Sequence, residues 1–287
     1  MKKISALAPI LLGVNAILAQ VILIRELLVS FSGNELSMGI MLAAWLIGGA
    51  IGSLILARLL IDRVKEPEHI YSIALITISV IMPSTIALSR AARVLFGIHI
   101  YEAIGPLQIF NICMLLLLPI SCILSLMFML CCKMLKSSIS KASAAATAYV
   151  LESIGAALAG AAFTFILVKY IGPFQLISAV IIINFSFLLW SSLITKKNRL
   201  IFFLLLVIAI AVSALGLPRF LEKKSQGLQW HPQKVLAYKN SPYGNIAVTR
   251  QAESTNIYEN GSLIFSSHDT AFKEEFSHIV MLQHANP

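Results

Sequence analysis

The sequence predicts an α-helical polytopic membrane protein of about seven transmembrane helices, followed by a small C-terminal β-hairpin plus helix module. Three observations predict this class. The 287-residue chain is 58% hydrophobic and 12% charged, about half the charge of an ordinary globular domain. Its apolar residues fall into runs near the ~20 residues that a helix needs to cross a ~30 Å hydrocarbon core. The last fifty or so residues lose that character and alternate as strands do.

Seven segments meet the length requirement: 5–31, 36–60, 70–90, 105–133, 144–170, 173–194 and 199–217. The first follows Lys2 and Lys3 and passes a weak small-residue site near Ala19. Its apolar run continues beyond that site and further spans follow, so the reading is an uncleaved first helix. The second carries Ala44, Gly48 and Gly52 at four-residue spacing, and the fifth carries Gly155 and Ala159. Small residues at this spacing let helix backbones approach closely, so both spans are expected to pack centrally. Cys113, Cys122, Cys131 and Cys132 lie on or beside the fourth span without metal-ligand spacing, and read as reduced apolar side chains.

The net charge of +9 does not indicate a nucleic-acid partner, because its lysines and arginines cluster between apolar spans. Lys2 and Lys3, then Arg58, Arg63 and Lys65, then Lys133, Lys136 and Lys141, then Lys196, Lys197 and Arg199 all fall on one side. The alternate loops are expected to carry only Arg90, Arg93 and Lys169. Under the positive-inside rule the N-terminus is cytoplasmic, and seven spans then put the C-terminal module outside the inner membrane, whereas one span fewer, at 90–105 or 199–217, would put it inside.

Ionisable groups are expensive in lipid, at least ~2.5–3.5 kcal/mol at a helix centre. Arg25 and Glu26 near the end of the first span, and Glu152 within the fifth, therefore need partners or water; Asn15 and Gln20 add further polar groups. One reading is a polar cavity for a cationic amine, with Glu26 and Glu152 as charge partners. The other is an interhelical ion pair or a side chain snorkelling to an interface.

Residues 1–217 thus form the membrane domain, 218–240 a linker and 241–287 the module. Pro218 is expected to end the last helix, the polar run 222–227 to be flexible, and Trp230 to rest at the membrane surface. In the module, 245–250 and 256–267 read as strands, and Asn260-Gly261 supplies a type I′ turn. Asp269 then offers an N-cap to a helix with the stripe Phe272, Phe276, Ile279, Val280 and Gln283. A module this small cannot bury a sufficient core alone and needs a partner.

The stretches Ser241-Pro242-Tyr243-Gly244-Asn245 and Tyr258-Glu259-Asn260-Gly261-Ser262-Leu263-Ile264-Phe265-Ser266, continuing through Asp269 and Glu274-Glu275 to His278, resemble the N-terminal β-module of spermidine synthases. The first helix with Arg25 and Glu26, followed by Gly33-Asn34-Glu35-Leu36 and the Gly-rich second span, is similar to the membrane portion fused to some bacterial spermidine synthase-like proteins. The resemblance implies an aminopropyltransferase whose amine pocket involves Tyr243, Asp269, Glu274, Glu275 and His278. It also implies a polyamine-like substrate and a decarboxylated S-adenosylmethionine cofactor in a full-length relative. Two stretches depart from the family pattern. Gly244 stands where a substrate-contacting glutamine is expected, and Lys273-Glu274 stands where Tyr-His is expected. No GxGxxG turn occurs in the chain, so it is expected to bind no such cofactor and to be inactive alone. The expected partners are membrane lipid and either further copies of the chain or a separate catalytic domain. The alternative is a stand-alone transporter or sensor for an amine-like solute.

Overall fold

The computed structural model describes residues 2–99, 102, 104–136 and 140–283. It is mostly helical, with a four-stranded antiparallel sheet near the C-terminus. Helix α1 is Lys2–Ser30. Helix α2, Glu35–Ile51, starts where the Asn34 side chain accepts from the Ser37 amide, and runs on through a π-turn at Gly52–Leu56 into Ala57–Leu60. Then come α3 (Pro67–Leu95), α4 (Pro106–Lys136) and α5 (Lys141–Ala162), the last extended by a π-turn at Phe163–Leu167 and by Val168–Tyr170. Helices α6 (Pro173–Thr195), α7 (Arg199–Ala214) and α8 (Leu217–Gln229) complete the helical part.

Six of these helices are long and apolar enough to cross a membrane; the bent pair α7 and α8, at 61°, would make a seventh crossing. The expected span 199–217 is the 16-residue α7, about 24 Å long at ~1.5 Å per residue. Hydrogen bonds fix the running directions. Tyr71 donates to the Ala8 carbonyl (2.8 Å) and Ser30 to the Ser89 carbonyl (2.8 Å), so α1 and α3 run parallel. Lys133 at the end of α4 donates to the carbonyls of Ile61 and Val64, bringing the expected lysine-rich loops to one pole.

The small residues make the close approaches expected of them. A Cβ on Gly155 would sit 2.1 Å from the Ile10 carbonyl oxygen, and one on Gly13 would sit 2.0 Å from that of Glu152, so α1 and α5 touch backbone to backbone. Gly52 meets the Cys122 backbone of α4 in the same way, and Gly48 meets the Ser121 hydroxyl. The expectation that α2 and α5 are central is corrected: they are the least buried of the six long helices. The continuous core lies instead between α1, α3, α4 and α6, around Leu12, Leu23, Leu75, Ile78, Ile112 and Leu188.

The expected linker is also corrected. Pro218 opens α8 rather than ending α7, because proline fits the first turn of a helix, where its missing N–H costs nothing. Strand β1 (Lys234–Asn240) follows, so the hairpin becomes a sheet of order β1-β2-β3-β4 with β2 (Asn245–Gln251), β3 (Ser254–Glu259) and β4 (Ser262–Ser266). The β3–β4 turn has Asn260 at φ 49° and Gly261 at φ 84°, as the Asn-Gly signal predicts. Helix α9 (Thr270–Leu282) begins directly after Asp269. On its predicted stripe Ile279, Val280 and Gln283 are exposed, while the side chains of Phe272 and Phe276 lie outside the described residues. Trp230 is buried, with its ring 4.7 Å from that of Tyr258 in a small core with Val29 and Ala247, rather than resting at a membrane surface.

Candidate functional site

The densest polar constellation lies where the sheet meets the end of α1. Glu26, one turn before the helix end, cannot remain ionised in an apolar core without a partner. The structure gives it Arg90 of α3, with Nε to Oε2 at 2.6 Å and Nη2 to Oε1 at 3.0 Å. Arg90 is fully buried. Its remaining donors reach Glu222 of α8 (2.7 Å) and the Ser225 hydroxyl (2.8 Å), and its guanidinium carbon lies 5.4 Å from the centre of the Phe174 ring. Glu222 also accepts from the Phe174 backbone amide at the start of α6 (3.2 Å) and from Gln226 (3.1 Å).

Arg90 and Arg93 are therefore not loop charges, as expected from the sequence. Helix α3 continues to Leu95 and buries both side chains. Arg93 spans the α1–α2 connection, donating to the carbonyl of Ser30 (2.6 Å), the hydroxyl of Ser32 (2.9 Å) and the carbonyl of His99 (2.6 Å).

Arg25 does not pair with its neighbour Glu26, whose oxygens face Arg90. It turns outward to the module and donates to the carbonyls of Ser241 (2.8 Å) and Gly244 (3.4 Å). These two residues bracket the β1–β2 turn. The β3–β4 turn is held at the same helix end: the Gly33 amide donates to the Asn260 carbonyl (3.1 Å) and the Ser262 hydroxyl to the Ser32 carbonyl (3.2 Å). Asn260 Oδ1 accepts from the Asn245 amide (2.9 Å), tying the two turns together. Tyr238 of β1 packs against the small core beneath the sheet. Desolvation there, reinforced by the nearby Glu26 carboxylate, pushes its hydroxyl well above the usual tyrosine range.

Between the two turns, α1 and α2 lies a cavity of about 480 Å³, lined on the module side by Tyr243, Asn240 and Asn260 and on the bundle side by Gln20 and Arg25. Another of about 480 Å³ lies at the opposite, lysine-rich pole, among Lys65, Glu66, His69, Lys133 and Lys197. A smaller one, about 310 Å³, is lined by Trp45, Ser121, Ser125, Tyr149 and Glu152.

The sequence-predicted residues are not gathered in one place. Tyr243 is 94% exposed at the β1–β2 turn, beside Arg25. Asp269 precedes α9, and Glu274, Glu275 and His278 lie exposed along that helix. Glu26 forms the interhelical ion pair and also lines the cavity beside Gln20, so it does not share a cavity with Glu152. Glu152 is half-buried on another cavity, and among the described residues no cation pairs with it. Sequence reasoning missed Glu222 and Ser225 because they fall in the supposed linker. It misjudged Arg90, although Ile78, Met82, Ile86 and Arg90 lie at four-residue spacing on the buried stripe of α3. Deeper in the bundle, Asn15 and Asn184 form a reciprocal amide pair at 2.9 Å, with Ser79 accepting from Asn184 at 3.1 Å. The four cysteines are free, and the described residues contain no cluster able to hold a metal ion.

No family model, curated protein or solved structure matches the chain.

Proposed function

We propose that this chain is the membrane-embedded platform of a spermidine synthase-like aminopropyltransferase, holding the family's β-module at the end of a helical bundle. The observation that carries the proposal is the seating of both resemblance-bearing turns on one helix end: Ser241 and Gly244 on Arg25, and Asn260 on Gly33. A platform has to fix its module rigidly, and a buried Arg90 bridging α1, α3 and α8 beneath the sheet supplies that rigidity.

Chemistry of this class needs a general base and a nucleotide cradle, neither of which the module supplies. The uncovered apolar surface of the module, Leu263, Ile264 and Phe265 on β4 with Ile279, Val280 and Leu282 on α9, suits a nucleotide-binding domain or a second copy. A polyamine-like amine would meet Asp269 just before α9, Glu274, Glu275 and His278 exposed along that helix, and Tyr243 at the far turn.

Orientation sets a condition on this reading. With Arg90 and Arg93 consumed in internal bonds, Lys169 is the single cation left of the three expected in the loops of the module pole. Helix α8 adds Arg219, Lys223 and Lys224 at this pole, so the asymmetry rests on the lysine-rich loops opposite, which argue for an N-terminus in the cytoplasm and a module outside. A cytosolic nucleotide substrate argues for a module inside. A reporter joined after Pro287 and active in one compartment separates the two. A cytoplasmic signal is the result expected of an aminopropyltransferase platform, and an external signal overturns it.

The transporter or sensor reading draws support from Glu152, a half-buried carboxylate on a cavity with no cation beside it among the described residues. Loss of amine uptake in Glu152→Gln, with uptake kept in a Tyr243→Ala variant, would favour it over the platform.

A further inference from the structure

The cavity between α1, α2 and the sheet has two unlike halves. Its floor is apolar and comes from the outer face of the bundle: Ile17, Val21 and Ile24 of α1, Met38 and Leu42 of α2. Met38 and Leu42 are themselves exposed, so the floor is continuous with the face that a bilayer would cover. Its roof is polar and comes from the end of α1 and the module: Arg25, Glu26, Asn240 and Asn260, while Gln20 lies lower, level with Val21 of the floor. Such a gradient, from apolar stripe to polar cap along one helix, matches an amphiphile standing with its tail along the helices and its head at the module.

The charges narrow the head. Arg25 spends one nitrogen, Nη2, on the two turn carbonyls and has no carboxylate in ion-pair contact among the described residues. A half-buried guanidinium of this kind suits phosphate, which accepts its remaining N–H donors in a fork. The charges that line the cavity nevertheless balance: Arg25 is one cation and Glu26 one anion. A head carrying net negative charge would upset that balance, whereas a zwitterion would not. Asn240 and Asn245 carry amide oxygens suited to an ammonium.

We infer that this cavity binds one zwitterionic aminophospholipid, with its phosphate on Arg25, its ammonium among the amide side chains, and an acyl chain along Ile17, Val21 and Leu42. The inference does not depend on the transferase reading, since it concerns binding alone.

The test is native mass spectrometry of the full chain, delipidated in detergent and re-exposed to lipids of identical acyl chains. Phosphatidylethanolamine is expected to give a single retained adduct, at least tenfold more abundant than that of phosphatidylglycerol. Arg25→Gln and Leu42→Trp, which fills the apolar floor, are each expected to abolish it, while Lys197→Gln at the opposite pole keeps it. Equal retention of the two lipids by the unaltered protein would overturn the zwitterion assignment without reference to any variant. Equal competition by soluble glycerophosphoethanolamine would show a free headgroup site and overturn the lipid. An adduct that survives both Arg25→Gln and Leu42→Trp would place the lipid elsewhere and overturn the site.

Discussion

Glu26 and Arg90 join the first and third helices through two hydrogen bonds, 2.6 and 3.0 Å long, and Arg90 has no exposed surface. One guanidinium thereby neutralises a carboxylate that would otherwise be stranded at the end of α1, and its remaining donors draw in α8. A buried pair of this kind adds little net stability over apolar residues, but removing one member leaves an uncompensated charge. Arg90→Met strands both Glu26 and Glu222, and is expected to cost about 3–5 kcal/mol. The triple variant Glu26→Leu, Arg90→Met, Glu222→Leu is expected to recover most of that loss. Thermal unfolding of the purified protein in detergent checks both; an Arg90→Met midpoint equal to the parent's would show that water reaches the pair.

The glycines sort by what a side chain would meet. At Gly155 a methyl group would strike the Ile10 carbonyl oxygen at 2.1 Å, backbone against backbone, whereas at Gly160 it would rest 3.6 Å from a flexible Ile17 carbon. Gly155→Ala is therefore expected to push α1 and α5 apart and cost about 1–3 kcal/mol, the usual range for overpacking. Gly160→Ala should stay within about 0.5 kcal/mol, as substitutions without a named lesion do. The same unfolding measurement distinguishes them, and equal effects would mean that the α1–α5 contact is looser than described.

The reciprocal amides of Asn15 and Asn184 tie α1 to α6 in the middle of the bundle. Polar pairs between helices in lipid contribute modestly, because the unfolded state in the membrane also finds partners. A double-mutant cycle with Asn15→Leu and Asn184→Leu is expected to give a coupling of about 0.6 kcal/mol, and no more than about 1.7. A coupling near zero would mean that each amide is satisfied without the other.

Much of the helical part was legible because long apolar runs select helices of bilayer-crossing length, and six long apolar helices fall within a few residues of the expected spans. What stayed hidden shares a cause: local sequence does not say which of two roles a residue plays. Pro218 suits the end of one helix or the first turn of the next, and Gly216, at φ 76°, makes the break two residues earlier. Arg90 reads as a loop cation until Glu26 is placed opposite it. Strand β1, Lys-Val-Leu-Ala-Tyr-Lys-Asn, keeps most of its residues partly or fully exposed at the sheet edge, so its pattern carries little burial signal. The Asn260-Gly261 turn was legible because its backbone conformation selects its residues directly. The candidate site was the least legible part, since it is assembled from α1, α3, α8 and two turns of the sheet.

Tyr238, half-buried with its hydroxyl near the Glu26 carboxylate, makes alkaline pH a probe of the module. Its hydroxyl is held protonated well above the usual value near 10, first by desolvation and then by Glu26. The folded state thus keeps a proton that the unfolded chain releases. The contribution is complete below about pH 10 and declines as pH rises through the interval up to the folded-state value. Tyr238→Phe removes the titrating group, so its unfolding midpoint is expected to fall less steeply with pH above about 10 than the parent's. Superimposable pH profiles would place the Tyr238 hydroxyl in water.

The strongest constraint on docking is Gly261, which has φ 84° and stands where a Cβ would lie 2.0 Å from the Val29 carbonyl oxygen. Two separate costs meet there. A non-glycine residue at this φ costs roughly 1–2 kcal/mol, and the clash is with helix backbone, which cannot swing aside as a side chain can. Gly261→Ala is therefore expected to lift the β3–β4 turn from α1, lengthening the Gly33 amide to Asn260 carbonyl bond, 3.1 Å in the native chain. Because the turns are linked through Asn260 and Asn245, the β1–β2 turn should lose its seat on Arg25 as well. The helical core, remote from this turn, should be unaffected. Limited proteolysis reads the difference: faster cleavage after Lys234, Lys239 and Arg250 with helices intact by circular dichroism is the expected result. Unchanged cleavage would mean that the sheet is held by α8 and Trp230 alone, and that its turns merely rest on the bundle.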